Sequence, residues 1–346
     1  VTEVSSGSAL VRSVLDEYGA LTRVVLREYL KGGEPRRYLY DLVGDYPERG
    51  GRSLRSSLCI AAARAFGGEM RRVIGSAVAL EMMHNAFLIH DDVEDESDER
   101  RGHPTLHALY GAPVAINVGD ALALRSLRPL VDNERLLGPS LTLRILQEAE
   151  RMTRESVEGQ AIELGWRRDN VSALEPEDYL FMTLKKTCWY TTIFPLRVGA
   201  LIGTDARIDP DALVRFGFFL GAAFQIQDDL LNLEGDPARY GKEICGDLWE
   251  GKRTLMIVHA IQNANLVERR RIRALLGTPR QEKSRSEVRW LGELLLGYGS
   301  HDFARRIAHG LAGAAAHEAA ALFSNLAPGR DRDFLLALPR WVLDRA

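Results

Sequence analysis

The sequence predicts an all-α fold. Long stretches are rich in Ala, Leu, Arg and Glu, with apolar residues at three- and four-residue spacing, the period of one helix face. Alternating Val/Ile/Thr runs bounded by hairpin turns are nearly absent. Gly and Pro fall between the periodic stretches, where helices stop.

In chain order the pattern places helices at 10–30, 54–66 and 70–90, the last two separated by Gly67 and Gly68. Gly102 and Pro104 interrupt the chain before helices at 112–130, 141–165 and 176–202. The pair Asp209 and Pro210 opens a helix over 210–233. Helices follow at 254–264, 288–297, 300–326 and 331–343, with Ser300 placed to cap the helix it begins. Gly277 and Pro279 open an exposed loop over 277–287, and the basic run 269–273 reads as solvated helix surface. The Ala-rich stretch 308–321 reads as close helix packing. No composition break or Pro/Gly/Ser linker divides the chain, so one domain is expected over 9–346, after a disordered polar tail at 1–8.

Composition narrows the function. A formal net charge of −3 gives no broad basic field for nucleic acid or anionic membrane. Cys59, Cys188 and Cys245 are far apart and odd in number, which disfavours a disulfide framework and fits a reducing cytoplasm. The longest apolar stretch, 213–226, carries Arg215 and Gln225 and is too broken to span a bilayer, so no transmembrane segment is expected.

The most informative stretch is FLIHDDVEDESDERRGHPTLH, residues 87–107. Seven of the nine residues 91–99 are acidic, which alone would describe a solvated charge run. Here, however, an apolar helix runs directly into the acids, so Asp91 starts on a core-facing helix, and Asp91 and Asp95, four apart, stack on one face. The pattern recurs in FQIQDDLLN, residues 224–232, where Asp228 and Asp229 end a second apolar helix and Asn232 stands where the first copy has Asp95. Carboxylates this crowded repel unless a cation sits between them. Oxygen-only ligands, with no matched His or Cys, suit Mg²⁺, which commonly bridges to substrate phosphates.

Positive charge lies close by. Arg100 and Arg101 follow the first cluster, and Lys185 and Lys186 sit in FMTLKKTCWY on a third apolar helix. Lys242 and Lys252 follow the second cluster in YGKEICGDLWEGKRT. Arg52 and Arg55 lie in GGRSLRSS, where a helix begins, a place that favours anions. The near P-loop match GDLWEGKR fails as a nucleotide site: Arg253 stands where Ser or Thr must meet the metal, and no strand leads in.

HDDVEDESDERRGHPT resembles the first aspartate-rich motif, DDxxD plus RRGxPT, of trans-type isoprenyl (polyprenyl) diphosphate synthases, and FQIQDDLLN resembles their second, FQxxDDxxD. The resemblance spans 45–345 and includes GGRSLR, VGD at 118–120, EGQAIEL at 158–164, KT at 186–187 and GK…GD…GK at 241–252. It implies antiparallel helices bundled around a deep central cavity, usually as a homodimer. It further implies that Asp91, Asp92, Asp95 and Asp228 hold Mg²⁺, up to about three ions, on an allylic diphosphate, with Asp229 in support. Arg100, Lys186 and Lys242 would contact the same diphosphate, with Lys252 nearby. Arg52, Arg55, His84 and Arg101 would grip isopentenyl diphosphate, and Gln225 and Thr187 would line the reacting centre.

Two positions depart from the motifs. Arg52 replaces a Lys, which keeps a cation but changes its geometry. Asn232 replaces the third acid of the second motif, and as the position farthest from the expected ion it would tune metal binding rather than abolish it.

The implied chemistry needs no protein nucleophile. The allylic diphosphate ionises, fixed and metal-borne positive charge stabilises the leaving pyrophosphate, and an apolar cavity keeps water from the carbocation. The isopentenyl double bond attacks, and pyrophosphate can take the released proton. Product length depends on what blocks the cavity below Asp91, where one helical turn of about 5.4 Å matches one isoprene unit. Phe87 is one turn before Asp91, Ala86 is beside it, and Met83 is a turn further. Phe87 points to a short product and Ala86 to a gap past it, so C20 is expected, with C15 next. Three alternatives stay open: a class I terpene cyclase, a metal phosphohydrolase built on the His90–Asp91 pair, and a non-catalytic partner subunit.

Overall fold

The computed structural model describes residues 2–234 and 244–344, the first five of them by backbone alone. Helix α1 (Thr2–Leu30) begins inside the stretch read as a tail. Helix α2 (Leu54–Ala65) follows short turns over 36–48 that the periodicity did not announce. Helix α3 (Met70–Glu94) outruns its expected end by a full turn and takes Asp91 and Asp92 into its last turn, with Asp95 as its C-cap.

Beyond α3, Glu99–Arg100 pairs antiparallel with His103–Pro104, the only strand pair among the described residues. Arg101 and Gly102 form its two-residue turn, both at positive φ (56° and 74°), the geometry that matches strand twist in tight hairpins. This turn sends Arg100 into the protein while Arg101 departs in another direction.

The expected helix 112–130 breaks at Ser126 into α4 (Ala112–Arg125) and a short successor, Leu127–Asp132. Helix α5 (Pro139–Arg168) starts with Pro in its first turn, where a missing N–H costs nothing. The expected helix 176–202 is three pieces: α6 (Pro176–Thr183), a π-helical stretch Leu184–Ile193, and α7 (Phe194–Thr204). Wider π turns are uncommon and concentrate at functional sites. Helix α8 (Val214–Glu234) carries the second acid cluster. After the undescribed residues 235–243 come α9 (Gly246–Glu250), α10 (Leu255–Asn263), α11 (Leu266–Gly277), α12 (Arg285–Gly297), α13 (Ser300–Phe323) and α14 (Arg330–Leu343). The cap of α13 is Gly299 at φ 66°, not Ser300; the Ser300 hydroxyl instead lies 3.0 Å from His259 Nδ1.

The centre is built from α2, α3, α7, α8 and the π stretch. Leu58 to Ala63 on α2 are fully buried. A Cβ at Gly199 of α7 would come within 2.5 Å of the Cys59 carbonyl, so only glycine lets these two helices touch backbone to backbone. Helix α3 is the described helix long and apolar enough to cross a membrane, yet 61% of its most apolar window is buried inside the bundle. One of its faces meets Leu58 and Leu201; the other meets Val43, Val118 and Leu122. It is therefore a core strut whose end delivers acids to the site.

Candidate active site

A cavity of about 700 Å³ opens among α3, α5, the π stretch and α8. Asp91, Asp228 and Asp229 line it together with Arg100, Lys186 and Lys252. Arg52, Arg55, His84 and Arg101 line the same space, as do Phe87, Thr187 and Gln225. Residues scattered over some two hundred positions thus face one chamber. Lys242 lies outside the described residues.

The first cluster sits at the wrong end of a helix for acids. The C-terminal half-charge of the helix dipole is negative, so Asp91 and Asp92 need fixed cations. Asp91 has Lys186 Nζ and Arg100 Nη2 each at 3.4 Å. Asp92 is fully buried, accepting from Tyr46 Oη and from Arg100 Nε at 2.8 Å and its Nη2. Asp95 accepts from Arg167 Nη1 at 2.5 Å and Lys252 Nζ at 2.7 Å.

The expectation that Asp91 and Asp95 stack on one helix face is therefore corrected. The helix stops at Asp95, whose carboxylate turns toward Arg167 and Lys252, and Asp92 points into the core. Asp91 and Glu94 are the acids of this cluster on the cavity wall, Glu94 accepting from Gln160 at 2.6 Å.

On α8, Asp229 accepts from Tyr179 Oη and Gln225 Nε2, each at 2.7 Å. Burial pushes its carboxyl up to about 7, against the lowering effect of those two hydrogen bonds, and Asp228 adds to the rise. Thr187 donates to Gln225 at 3.1 Å, so the reacting-centre pair expected from the motifs is in contact.

The cations are fixed by residues that sequence reasoning did not single out. Lys186 donates to Glu163 at 2.6 Å; burial lowers its pKa, but Glu163 and Asp91 outweigh that and raise it. Close approach of α5 makes this possible, since a Cβ at Gly159 would lie 2.1 Å from the Lys186 nitrogen. Lys252 spans Asp95 and Glu250, both at 2.7 Å. Lys185, by contrast, pairs with Glu155 and Glu158 away from the cavity wall. Tyr46, Glu163, Arg167, Tyr179 and Glu250 are the residues missed. Glu163 and Glu250 sat inside quoted stretches, whereas Tyr46, Arg167 and Tyr179 hold partners 46 to 72 residues away along the chain.

Arg101 donates to the Gly50 carbonyl, and burial, then the neighbouring Arg100 charge, pushes its pKa down to about 10. It stays protonated at neutral pH, so this corner carries positive charge that an incoming diphosphate would offset. Arg55 donates to His84 Nε2 at 3.3 Å and to Thr191 Oγ1 at 2.9 Å.

One further expectation is corrected. Ala86 is not a gap beside Phe87: it is fully buried, packed with Val78, Met82 and Val118 on the opposite side of α3, because adjacent helix positions face about 100° apart. Asn232, expected to tune metal binding, accepts at its Oδ1 from the Asp247 N–H at 3.1 Å, tying α8 to the start of α9. Asn232→Ala should therefore lower stability by about 1 kcal/mol, the value of a lost helix cap, and Asn232→Asp should restore it. Thermal melts of both variants check this.

These residues fit a divalent cation. Asp91 and Asp228 supply hard oxygen donors to the same cavity. Among the described residues no three ligating side chains are clustered.

Comparison with known proteins agrees with this geometry. Residues 36–295 match the polyprenyl synthetase family. The short chain isoprenyl diphosphate synthase of Methanothermobacter thermautotrophicus is 33% identical over 263 residues, 75% of this chain and 77% of that protein. Geranylgeranyl pyrophosphate synthetase from Pyrococcus horikoshii superposes with a TM-score of 0.84 at 30% identity, covering 99% of this chain and 100% of that one. Geranylgeranyl pyrophosphate synthase from Corynebacterium glutamicum, solved with isoprenyl diphosphate and magnesium, gives a TM-score of 0.79 at 25% identity over 98% of this chain and 99% of that one. The chain belongs to the polyprenyl synthetase family, with its all-α isoprenoid synthase fold, and is a short-chain prenyltransferase of isoprenoid biosynthesis.

Proposed function

We propose that this enzyme joins isopentenyl diphosphate to an allylic diphosphate and releases a C20 all-trans polyprenyl diphosphate. The supporting observation is one cavity lined both by Asp91, Asp228, Lys186 and Arg100 and by Arg52, Arg55, His84 and Arg101. The first set suits an ionising diphosphate, and the second suits a diphosphate that stays intact. A terpene cyclase has no use for the second set. A phosphohydrolase built on His90 is disfavoured as well, since the His90 ring lies 3.3 Å from Asp120 and from the Ile116 carbonyl.

Asp91 and Asp228 would hold Mg²⁺, with Asp92, Asp95 and Asp229 ordering the residues around it. Bound there, the ion supplies Lewis-acid stabilisation of the departing diphosphate. Lys186 and Arg100, already charged and fixed, orient that diphosphate and add positive charge where negative charge develops. Lys242 and Lys252 belong to the same group in this reading. Thr187 and Gln225 face the carbon that reacts. Phe87 closes the apolar part of the cavity, which sets the chain length. The family's usual homodimer and a cytoplasmic setting complete the proposal.

The test is product sizing. With Mg²⁺, isopentenyl diphosphate and farnesyl diphosphate, the protein should yield C20, activity should vanish with a chelator, and Phe87→Ala should lengthen the product by at least one isoprene unit. Failure to elongate any of the C5, C10 or C15 allylic starters would refute the reading, and an unchanged product in Phe87→Ala would remove Phe87 as the stop.

A further inference from the structure

Tyr190 lies on the π stretch, four residues after Lys186 and three after Thr187, and lines the cavity. Its ring has three partners. The Arg55 guanidinium stands 4.4 Å from the ring centroid. The His84 ring stacks on it at 5.9 Å with 28° between planes. The Phe87 ring meets it edge to face at 5.5 Å and 84°. Arg55 and His84 belong to the polar subsite, whereas Phe87 belongs to the apolar wall.

Each contact has a defined consequence. A guanidinium over an aromatic face loses rotamer freedom and keeps its charge, so Tyr190 leaves Arg55 aimed by three groups: the ring, His84 and Thr191. An edge-to-face contact fixes the Phe87 ring angle, and the ring angle decides how far Phe87 projects into the cavity. The wide turn of the π stretch places these contacts on one ring.

We propose that Tyr190 is a positioning and specificity-determining residue that couples the grip on isopentenyl diphosphate, through Arg55, to the length of the product, through Phe87. The proposal rests on the reading of Arg55 and His84 as the isopentenyl diphosphate subsite. One aromatic ring then sets both the affinity for the extender unit and the stopping point of elongation.

The experiment compares the wild type with Tyr190→Leu, Tyr190→Phe and Phe87→Ala, using Mg²⁺, isopentenyl diphosphate and farnesyl diphosphate. Tyr190→Leu should raise KM for isopentenyl diphosphate about tenfold, the scale of a lost partly buried cation–π contact, and shift product by at least one isoprene unit. KM for farnesyl diphosphate should change less than about threefold, a split that a general packing defect would not give. Phe87→Ala should lengthen the product while leaving KM for isopentenyl diphosphate within about threefold. Tyr190→Phe, which restores the ring, should rescue both properties toward wild-type values.

Should Tyr190→Leu move product length alone, KM alone or neither, the coupling is overturned; should Tyr190→Phe fail to rescue, the ring is not the agent. Wild-type elongation is the internal control: its absence refutes the functional reading itself, whereas its presence with unaltered Tyr190→Leu refutes only this inference.

Discussion

Asp91→Asn should lower kcat by about three orders of magnitude with little change in stability. The carboxylate stands on the cavity wall with Lys186 and Arg100 each at 3.4 Å, so it is the aspartate of the first cluster open to a cation and its diphosphate. Loss of a charge aimed at the developing pyrophosphate costs on the order of 4 kcal/mol in the transition state, at 1.36 kcal/mol per decade of rate. Stability is spared for a reason visible in the contacts. Lys186 keeps Glu163 and Arg100 keeps Asp92, so neither buried cation is stranded. Steady-state kinetics with a parallel denaturant melt checks both halves. A kcat within tenfold of wild type would remove Asp91 from the chemistry.

Arg100→Met should behave in the opposite manner, losing stability first. Arg100 and Asp92 are buried together, with side chains only 7% and 1% exposed, and Tyr46 supplies the remaining hydrogen bond. Removing one member of such a pair strands the other charge and costs about 3–5 kcal/mol, a large fraction of the 5–15 kcal/mol that holds a typical domain. Adding Asp92→Asn should recover a substantial part of that loss, because the stranded charge is gone. Urea titration of the two single variants and the double variant measures the coupling. A loss below about 1 kcal/mol in Arg100→Met would mean that the pair is solvated in solution.

Much of this architecture could be read from the sequence, and the failures have physical causes. The long helices were legible because each buries one face, which forces a 3.6-residue repeat. Helix α11 was legible only as the solvated basic run 269–273, and its extent escaped because its apolar stripe is narrow and interrupted by the run Glu268 to Arg271; its start was nonetheless written in Asn265 and Glu268, which cap each other's backbone N–H groups. The π stretch was invisible, since its apolar residues satisfy an ordinary helical period equally well.

The site was legible where chemistry is local. Two acid pairs at the ends of apolar helices conflict with the helix dipole and with each other, and that conflict announces a cation. What the acids do individually was not legible. Asp91 and Asp92 are neighbours in sequence, yet one faces the cavity and the other is sealed against Tyr46 and Arg100. The motif is one unit in sequence and two environments in space. Ala86 shows the same limit, because distance along a helix does not tell which face a residue occupies.

The central claim is that Asp91 and Asp228, carried by two helices far apart in sequence, hold divalent metal against one diphosphate. A crystal structure with Mg²⁺ and a non-ionising allylic thiolodiphosphate tests it directly. The account predicts Mg²⁺ bridging diphosphate oxygens to Asp91 on α3 and to Asp228 on α8, with Lys186 and Arg100 on the same diphosphate. A diphosphate seated only on Arg52 and Arg55, with Asp91 and Asp228 touching neither metal nor ligand, would contradict it.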